Sequence, residues 1–499
     1  MRGGIGALLS ERGRISREME GVVDLASRER LSFADLDARS SAIASALTDL
    51  VAPGERIALL AGNSHHYAAI VFAAAKLGAI LVPLNWRLTA PELAYQLEDC
   101  EPAVAIHDQA NEHAARGLAK GGGAGRWVAL ETLLEAAAGD GNPVDRRVGP
   151  DDGFLILYTS GTTGRPKGAL HTHGSSLAWC ASTIASFDNR YGDRQLLVAP
   201  LFHIAGICVL LNAVHSGFTL VIAPGFDAGK VWETIEVERI TSMFAVPTMI
   251  NDMRAHGNAS RFSHETLRWI MCGAAPVPVT LIDIYAGLGI DIHQVYGSTE
   301  SHGGIAVLPP AYAHSRKGST GLPCFGVELK VVDTAGRDLG PGERGELVTR
   351  GPHLFKAYWR QPAETARSFQ DGWFMLGDIG ETDEDGFITI RDRSKDMIIS
   401  GGENVYPAEI ENVLMRSGKV REVAVVGRPD ERWGEVPVAV VVPTGGDACL
   451  PEVVRDELSE LASTSLARYK RPAAYMFVDS LPRNAAGKVQ KHIIRSLLV

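Results

Sequence analysis

An α/β fold in two or more domains is expected from three observations. The chain has 499 residues, too many for one ordinary core. Its first half alternates short apolar runs with helical patterns, the β-α-β order of parallel sheet covered by helices. Near Gly321 the character changes to turn-rich β, and after Arg393 about a hundred residues remain, the usual size of a small domain.

The elements follow in order. Arg56-Ile57-Ala58-Leu59-Leu60 reads as a strand, and a helix from His65 to Leu77 ends at Gly78, a C-cap signal. Ala79-Ile80-Leu81-Val82-Pro83 reads as the next strand. Phe154-Leu155-Ile156-Leu157-Tyr158, Leu196-Leu197-Val198-Ala199, Thr219-Leu220-Val221-Ile222 and Ser242-Met243-Phe244-Ala245-Val246 continue the pattern. Beyond Gly321 come the short strands 327–332 and 345–349, with turns at Asp371-Gly372 and Asp385-Gly386.

Composition narrows the function. Apolar content of 45% with 22% charged residues is that of a globular protein. A net charge of −10 argues against nucleic acid as the main partner. The six cysteines are scattered with no CxxC pair, so neither a zinc site nor a disulfide framework is indicated. The most apolar stretch, Ala68 to Ala75, is too short to cross a bilayer, and the N-terminus lacks an apolar signal core. A cytoplasmic location is expected, with peripheral membrane contact left open.

The most informative run is Thr159-Ser160-Gly161-Thr162-Thr163-Gly164-Arg165-Pro166-Lys167-Gly168. Glycines let backbone N–H groups approach a polyphosphate, hydroxyls donate to its oxygens, and a lysine supplies charge. A short Ser/Thr/Gly run is ordinarily a polar surface loop between strand and helix; this length and order are unusual. It is not the common P-loop, since Lys167 precedes Gly168 and no Ser or Thr follows directly. His171-Thr172-His173 is a weak metal pair without nearby acids and reads as the start of the next helix.

The run resembles the phosphate-binding signature of the adenylate-forming enzymes, a superfamily that includes acyl-CoA synthetases. Other signatures follow in order: Leu201-Phe202-His203-Ile204-Ala205-Gly206, Gln294-Val295-Tyr296-Gly297-Ser298-Thr299-Glu300, Trp373-Phe374-Met375-Leu376-Gly377-Asp378, Asp392-Arg393-Ser394-Lys395-Asp396 with Gly401 to Glu411, and Pro482-Arg483-Asn484-Ala485-Ala486-Gly487-Lys488. The resemblance spans nearly the whole chain. It implies a large N-terminal domain, 1–393, of parallel-type β-sheets packed with helices, with a turn-rich β-barrel subdomain over about 321–393. It also implies a small mobile α+β C-terminal domain, 394–499, hinged near Lys395.

The resemblance assigns roles residue by residue. Thr159, Ser160, Gly161, Thr162, Thr163, Gly164 and Lys167 would cradle the phosphates of ATP. Glu300, with Thr159 directly or through water, would hold Mg²⁺, for which a hard carboxylate oxygen is suited. Tyr296, with Gly297 and Thr299, would face Gly273-Ala274-Ala275 across the adenine. Asp378 and Arg393 would hold the ribose, with Leu376 departing from the threonine often found before Gly-Asp. Lys488 would be the catalytic lysine, with Glu300 and His203 also catalytic, and the segment holding His203 would border the acyl pocket. Ser400, Gly401 and Gly402 would approach CoA after the small domain rotates.

The implied reaction joins a carboxylic acid to CoA, with ATP split to AMP and pyrophosphate through an acyl-adenylate. Candidate acyl-pocket residues are His203, Ile204, Gly206, Ile207, Phe244, Val246, Pro247, Cys272, His302, Gly303 and Gly304, mostly apolar or small. With no aspartate near Phe244 and no carrier domain after Lys488, an amino acid is not expected. No arginine stands ready for a second carboxylate. A medium- or long-chain fatty acid is expected, with an aryl acid of cinnamate, ferulate or benzoate type as the alternative. A luciferase-like oxygenase and an inactive binding protein are less favoured. Oligomeric state is not legible.

Overall fold

Four sheets carry the chain. The computed structural model describes residues 4–121, 125–138, 144, 146–159, 166–275, 277–393, 396–400, 403–430, 433–445, 451–484 and 488–498. Two large sheets form the N-terminal domain. In one, six parallel strands run in the order Glu20–Asp24, Thr219–Ile222, Arg194–Leu197, Ser242–Ala245, Trp269–Gly273, Asp291–Ser298, with antiparallel strands at both edges. In the other, Gly153–Thr159, Ile80–Pro83, Arg56–Leu60, Val104–His107 and Trp127–Ala129 are parallel.

The helix His65–Leu77 forms where the sequence places it, and local chemistry explains why. The Ser64 hydroxyl accepts from the Tyr67 N–H at its start, and Gly78 closes it with φ 67°. Every residue of this helix except His66 is buried. It shares one apolar core with Leu59 and Leu81 from one sheet and Leu197 and Leu220 from the other. A helix apolar all round is the kind that fits between two sheets. Its Lys76 ammonium meets the Asp37 carboxylate at 2.6 Å. The Ala68–Ala75 stretch lies within this helix, and among the described residues no helix is long and apolar enough to cross a membrane.

The turn-rich region forms a third, antiparallel sheet: Glu328–Val332, Gly345–Arg350, Trp373–Thr382 and Phe369–Gln370, with Ile388–Arg393 also on Trp373–Thr382. Among the described residues its five strands pair as an open ladder. The small C-terminal domain has a sheet of Glu403–Val405, Ile398–Ser400, Gly434–Pro443 and Val420–Asp430, with Ala474–Phe477 parallel to Gly434–Pro443. Helices Pro407–Leu414 and Pro451–Ser465 cover one face with Ile410, Leu414, Val454 and Leu458. The five cysteines described are buried free thiols.

Candidate functional site

The described residues of the phosphate-type run lie on or beside two paired strands. Gly153–Thr159 and Lys167–Thr172 pair antiparallel, with Thr159 opposite Lys167. His171-Thr172-His173 is expected to open the next helix; the strand instead runs to Thr172, paired with Gly153–Thr159 along its length and with Ala357–Tyr358 on part of its other edge. The helix begins at His173, with Thr172 as its N-cap, so His171 belongs to the strand. Ser160, Gly161, Thr162, Thr163 and Gly164 lie outside the described residues. Lys167, expected on phosphate, is buried and ion-paired with Glu364, whose carboxyl it draws below its ordinary range.

Glu300 faces this hairpin from the turn after Asp291–Ser298. The Thr159 hydroxyl donates to Glu300 Oε1 at 3.5 Å and the Tyr358 hydroxyl donates to the same oxygen at 3.0 Å. One carboxylate beside a hydroxyl suits Mg²⁺, which takes one or two protein carboxylates and completes its octahedron with substrate phosphates and water. Among the described residues no group of three His, Cys, Asp or Glu forms a self-sufficient metal cage, in keeping with that mode.

A second wall is built from two parallel strands. Trp269–Gly273 and Asp291–Ser298 run side by side, so their carboxyl ends open at one edge, where α/β sheets take ligands. Gly273, Ala274 and Ala275 leave the first, and Tyr296 and Gly297 end the second. Ala274 has φ 68°, a left-handed backbone that costs a non-glycine residue about 1 kcal/mol or more. A Cβ on Gly297 would lie 1.5 Å from the Gly303 carbonyl oxygen, so only glycine fits. The Tyr296 hydroxyl donates to Asp378 Oδ2 at 2.7 Å, and Asp378 stands opposite Arg393 in register. Leu376, one pleat from Asp378, packs with Phe355 and Phe374 in the core of the third sheet.

The third wall meets the small domain. His203 caps the helix Ile204–Ser216. Burial first, then the charges of Arg87 and Lys488, push its pKa down to about 4, so the ring is neutral at ordinary pH. The charge of Lys488, in the small domain, is felt at His203. Arg87 carries no motif in the sequence; it sits in a loop with its guanidinium 5.0 Å from the Trp86 ring centre and 5.8 Å from that of Phe202.

Beyond His203 the expected acyl residues divide. Phe244 and Val246 are half-buried. A Cβ on Gly303 would lie 3.5 Å from Cys208 Sγ and 3.9 Å from Ile204 Cγ1, so these three share a wall. Cys272 is a correction: strand alternation puts it with Ile270 in the core beside Tyr285, on the opposite face from Phe244. Met271 takes the pocket-side position, clustered with Phe187, Phe244 and Val295. A Cβ on Gly206 would lie 2.3 Å from the Pro200 carbonyl oxygen; this glycine lets the helix pack on its own approach loop. His302 is fully buried and bonded to Ser176, turned from the pocket, and Ile207 is core. Pro247 opens the next helix, and the Gly304 carbonyl accepts from Trp179 Nε1 at 3.0 Å.

Ser400 ends a strand of the small domain and is buried. Gly401, Gly402 and Lys395 lie outside the described residues. Nothing in the sequence points to Arg87, Phe187, Met271 or Tyr358.

Comparison with known proteins gives the family. The family model for AMP-binding enzymes matches residues 13–359, and that for the AMP-binding enzyme C-terminal domain matches residues 409–488. The long-chain-fatty-acid–CoA ligase FadD13 of Mycobacterium tuberculosis is 40% identical, over 98% of both chains. A feruloyl-CoA synthase of Amycolatopsis is 42% identical, over 93% of both. The o-succinylbenzoate CoA synthetase of Bacillus subtilis, solved with ATP and magnesium, superposes with a TM-score of 0.87 at 31% identity, covering 100% of this chain and 99% of that one.

Proposed function

The chain belongs to the AMP-binding enzyme family and is an acid–CoA ligase, and from that premise we propose that its acid is a medium- or long-chain fatty acid. The observation that carries the choice is the apolar cluster beside the Gly303 wall, in which Phe187, Phe244 and Val295 pack on Trp269, Met271 and Val307. An alkyl chain needs such a surface and no polar partner. The aryl reading is kept for one reason: Phe187 and Phe244 offer ring faces to an aromatic acid, and feruloyl-CoA synthase is similar over most of its length. The test is CoA-dependent AMP release with octanoate, palmitate, ferulate and benzoate. A kcat/KM for either aryl acid above both fatty acids would overturn the fatty-acid reading.

The roles proposed for the residues follow their places. Tyr296 and the Gly273–Ala275 segment hold adenine between them; Asp378, with Arg393, accepts from the ribose hydroxyls. Thr159 and Glu300 orient the phosphate end. Bound Mg²⁺ would bridge phosphate oxygens and neutralise their charge. Lys488 brings the acid carboxylate and the α-phosphate together and offsets the charge that grows between them. A carboxylate oxygen forms the bond to the α-phosphorus, and pyrophosphate leaves. The small domain then turns about Lys395, bringing Ser400, Gly401 and Gly402 to the CoA thiol. The thiolate attacks the acyl carbonyl and AMP leaves.

Asp378→Ala removes both the ribose acceptor and the partner of the Tyr296 hydroxyl. Its KM for ATP is expected to rise about tenfold or more, since each charge-assisted hydrogen bond contributes about 1.5–3 kcal/mol. Steady-state kinetics at saturating acid checks this, and an unchanged KM would remove Asp378 from the ribose.

A further inference from the structure

Behind the Thr299–Glu300 turn lies a group of buried histidines that the reaction leaves unused. His171, on the hairpin strand Lys167–Thr172, is fully buried, and its ring centre is 3.9 Å from that of His302, edge-on at 71°. His302 is fixed on three sides. Its Nδ1 faces the His353 carbonyl at 2.8 Å, its Nε2 faces Ser176 Oγ at 2.8 Å, and the Trp179 indole stacks at 6.4 Å. A carbonyl only accepts, so Nδ1 carries the proton, and the one Ser176 hydroxyl proton is shared between Nε2 and the Thr172 carbonyl at 2.9 Å.

The backbone of His302 is left-handed, with φ 58°, and its N–H closes the turn on the Thr299 carbonyl at 3.1 Å. His171 is held differently. Neither of its ring nitrogens meets a partner in hydrogen-bond geometry, although the Thr299 carbonyl acts on the ring in the sense of a hydrogen bond. A buried imidazole in that state is costly. It is kept where the hairpin strand meets the turn that carries Glu300, a second contact beside that of Thr159 with Glu300. Tyr358, which donates to Glu300, is tied to the same hairpin strand opposite Ala169.

We propose that the His171–His302 contact positions the Thr299–Glu300 turn against the phosphate hairpin, making His171 a positioning residue for the Mg²⁺-dependent part of nucleotide binding. This rests on the reading of Glu300 as a Mg²⁺ ligand. The test is calorimetric binding of α,β-methylene-ATP to the full chain, with and without Mg²⁺. His171→Leu is expected to lose about tenfold in affinity with Mg²⁺ and little without it, the scale seen when groups behind a metal ligand are removed. His171→Gln, which keeps an N–H donor, is expected to restore most of the loss. His302→Asn tolerates the left-handed backbone and removes the ring contact, so it carries the test if the leucine variant does not fold.

Thioester formation from supplied acyl-AMP, which uses no triphosphate, is expected to stay near the wild-type rate in each variant. Equal loss of both half-reactions with a lower melting temperature would mean a merely structural contact and overturn the proposal. So would an unchanged Mg²⁺ increment in His171→Leu or His302→Asn. Glu300→Gln separates the two ideas. If it abolishes the increment while the histidine variants keep it, only the positioning role fails; if it too leaves the increment intact, the Glu300 reading falls and takes the proposal with it.

Discussion

Replacing Lys488 by alanine is expected to stop acyl-adenylate formation while leaving thioester formation from supplied acyl-AMP. The loss should be at least about a hundredfold in kcat, roughly 3 kcal/mol, the scale of removing one preorganised charge from a developing anion. The reason is where the cation comes from. Arg87 and Lys488 both act on His203, but Arg87 belongs to the large domain and Lys488 to the small one. On the proposed rotation of the small domain, Lys488 would leave and Arg87 would stay. ATP–pyrophosphate exchange reads the first half-reaction, and acyl-CoA formed from synthetic acyl-AMP reads the second. Equal loss in both would deny Lys488 a role confined to adenylation.

Acid is the second large effect. His66, His173, His203, His293 and His353 all have pKa values pushed by burial from 6.5 to about 4. Each is neutral in the folded protein and takes up a proton on unfolding between those two values. The unfolded chain binds more protons there, so stability is full above about pH 6.5 and falls as pH drops toward about 4. Each group takes away up to about 2 kcal/mol by about pH 5, least for the partly exposed His66, so together they remove several kcal/mol, a large share of the stability of a domain. The urea midpoint should therefore collapse between neutral pH and about pH 5. A midpoint unchanged over that range would mean that these rings are not neutral in the fold.

Much of the architecture was legible because its signals are local. The helix His65–Leu77 announced both ends, through Ser64 and Gly78. The motifs around Tyr296 and Asp378 were legible as sequence, and the fold joins them by a single hydrogen bond. The unread parts depend on distant partners. Lys167–Thr172 is a strand because it folds back along Gly153–Thr159, and Ala357–Tyr358, nearly two hundred residues away, pairs with part of its other edge. Cys272 was placed on the wrong face because Trp269–Gly273 is buried on both sides, so apolar residues fill every position and period-two alternation carries no label for inside or outside. Arg87 looked like any loop arginine; its neighbours Phe202, His203 and Lys488 are assembled only in three dimensions.

The helix His65–Leu77 has a mechanical consequence. Both large sheets lean on the same buried cylinder, so neither sheet can slide or tilt without opening a void along it. Close packing resists that, and a leucine-to-alanine change in the helix should cost about 2–5 kcal/mol. The N-terminal domain therefore behaves as an anvil. Whatever travel the catalytic cycle needs falls to the lighter part that carries Lys488, and the nucleotide stays on a bed that does not yield.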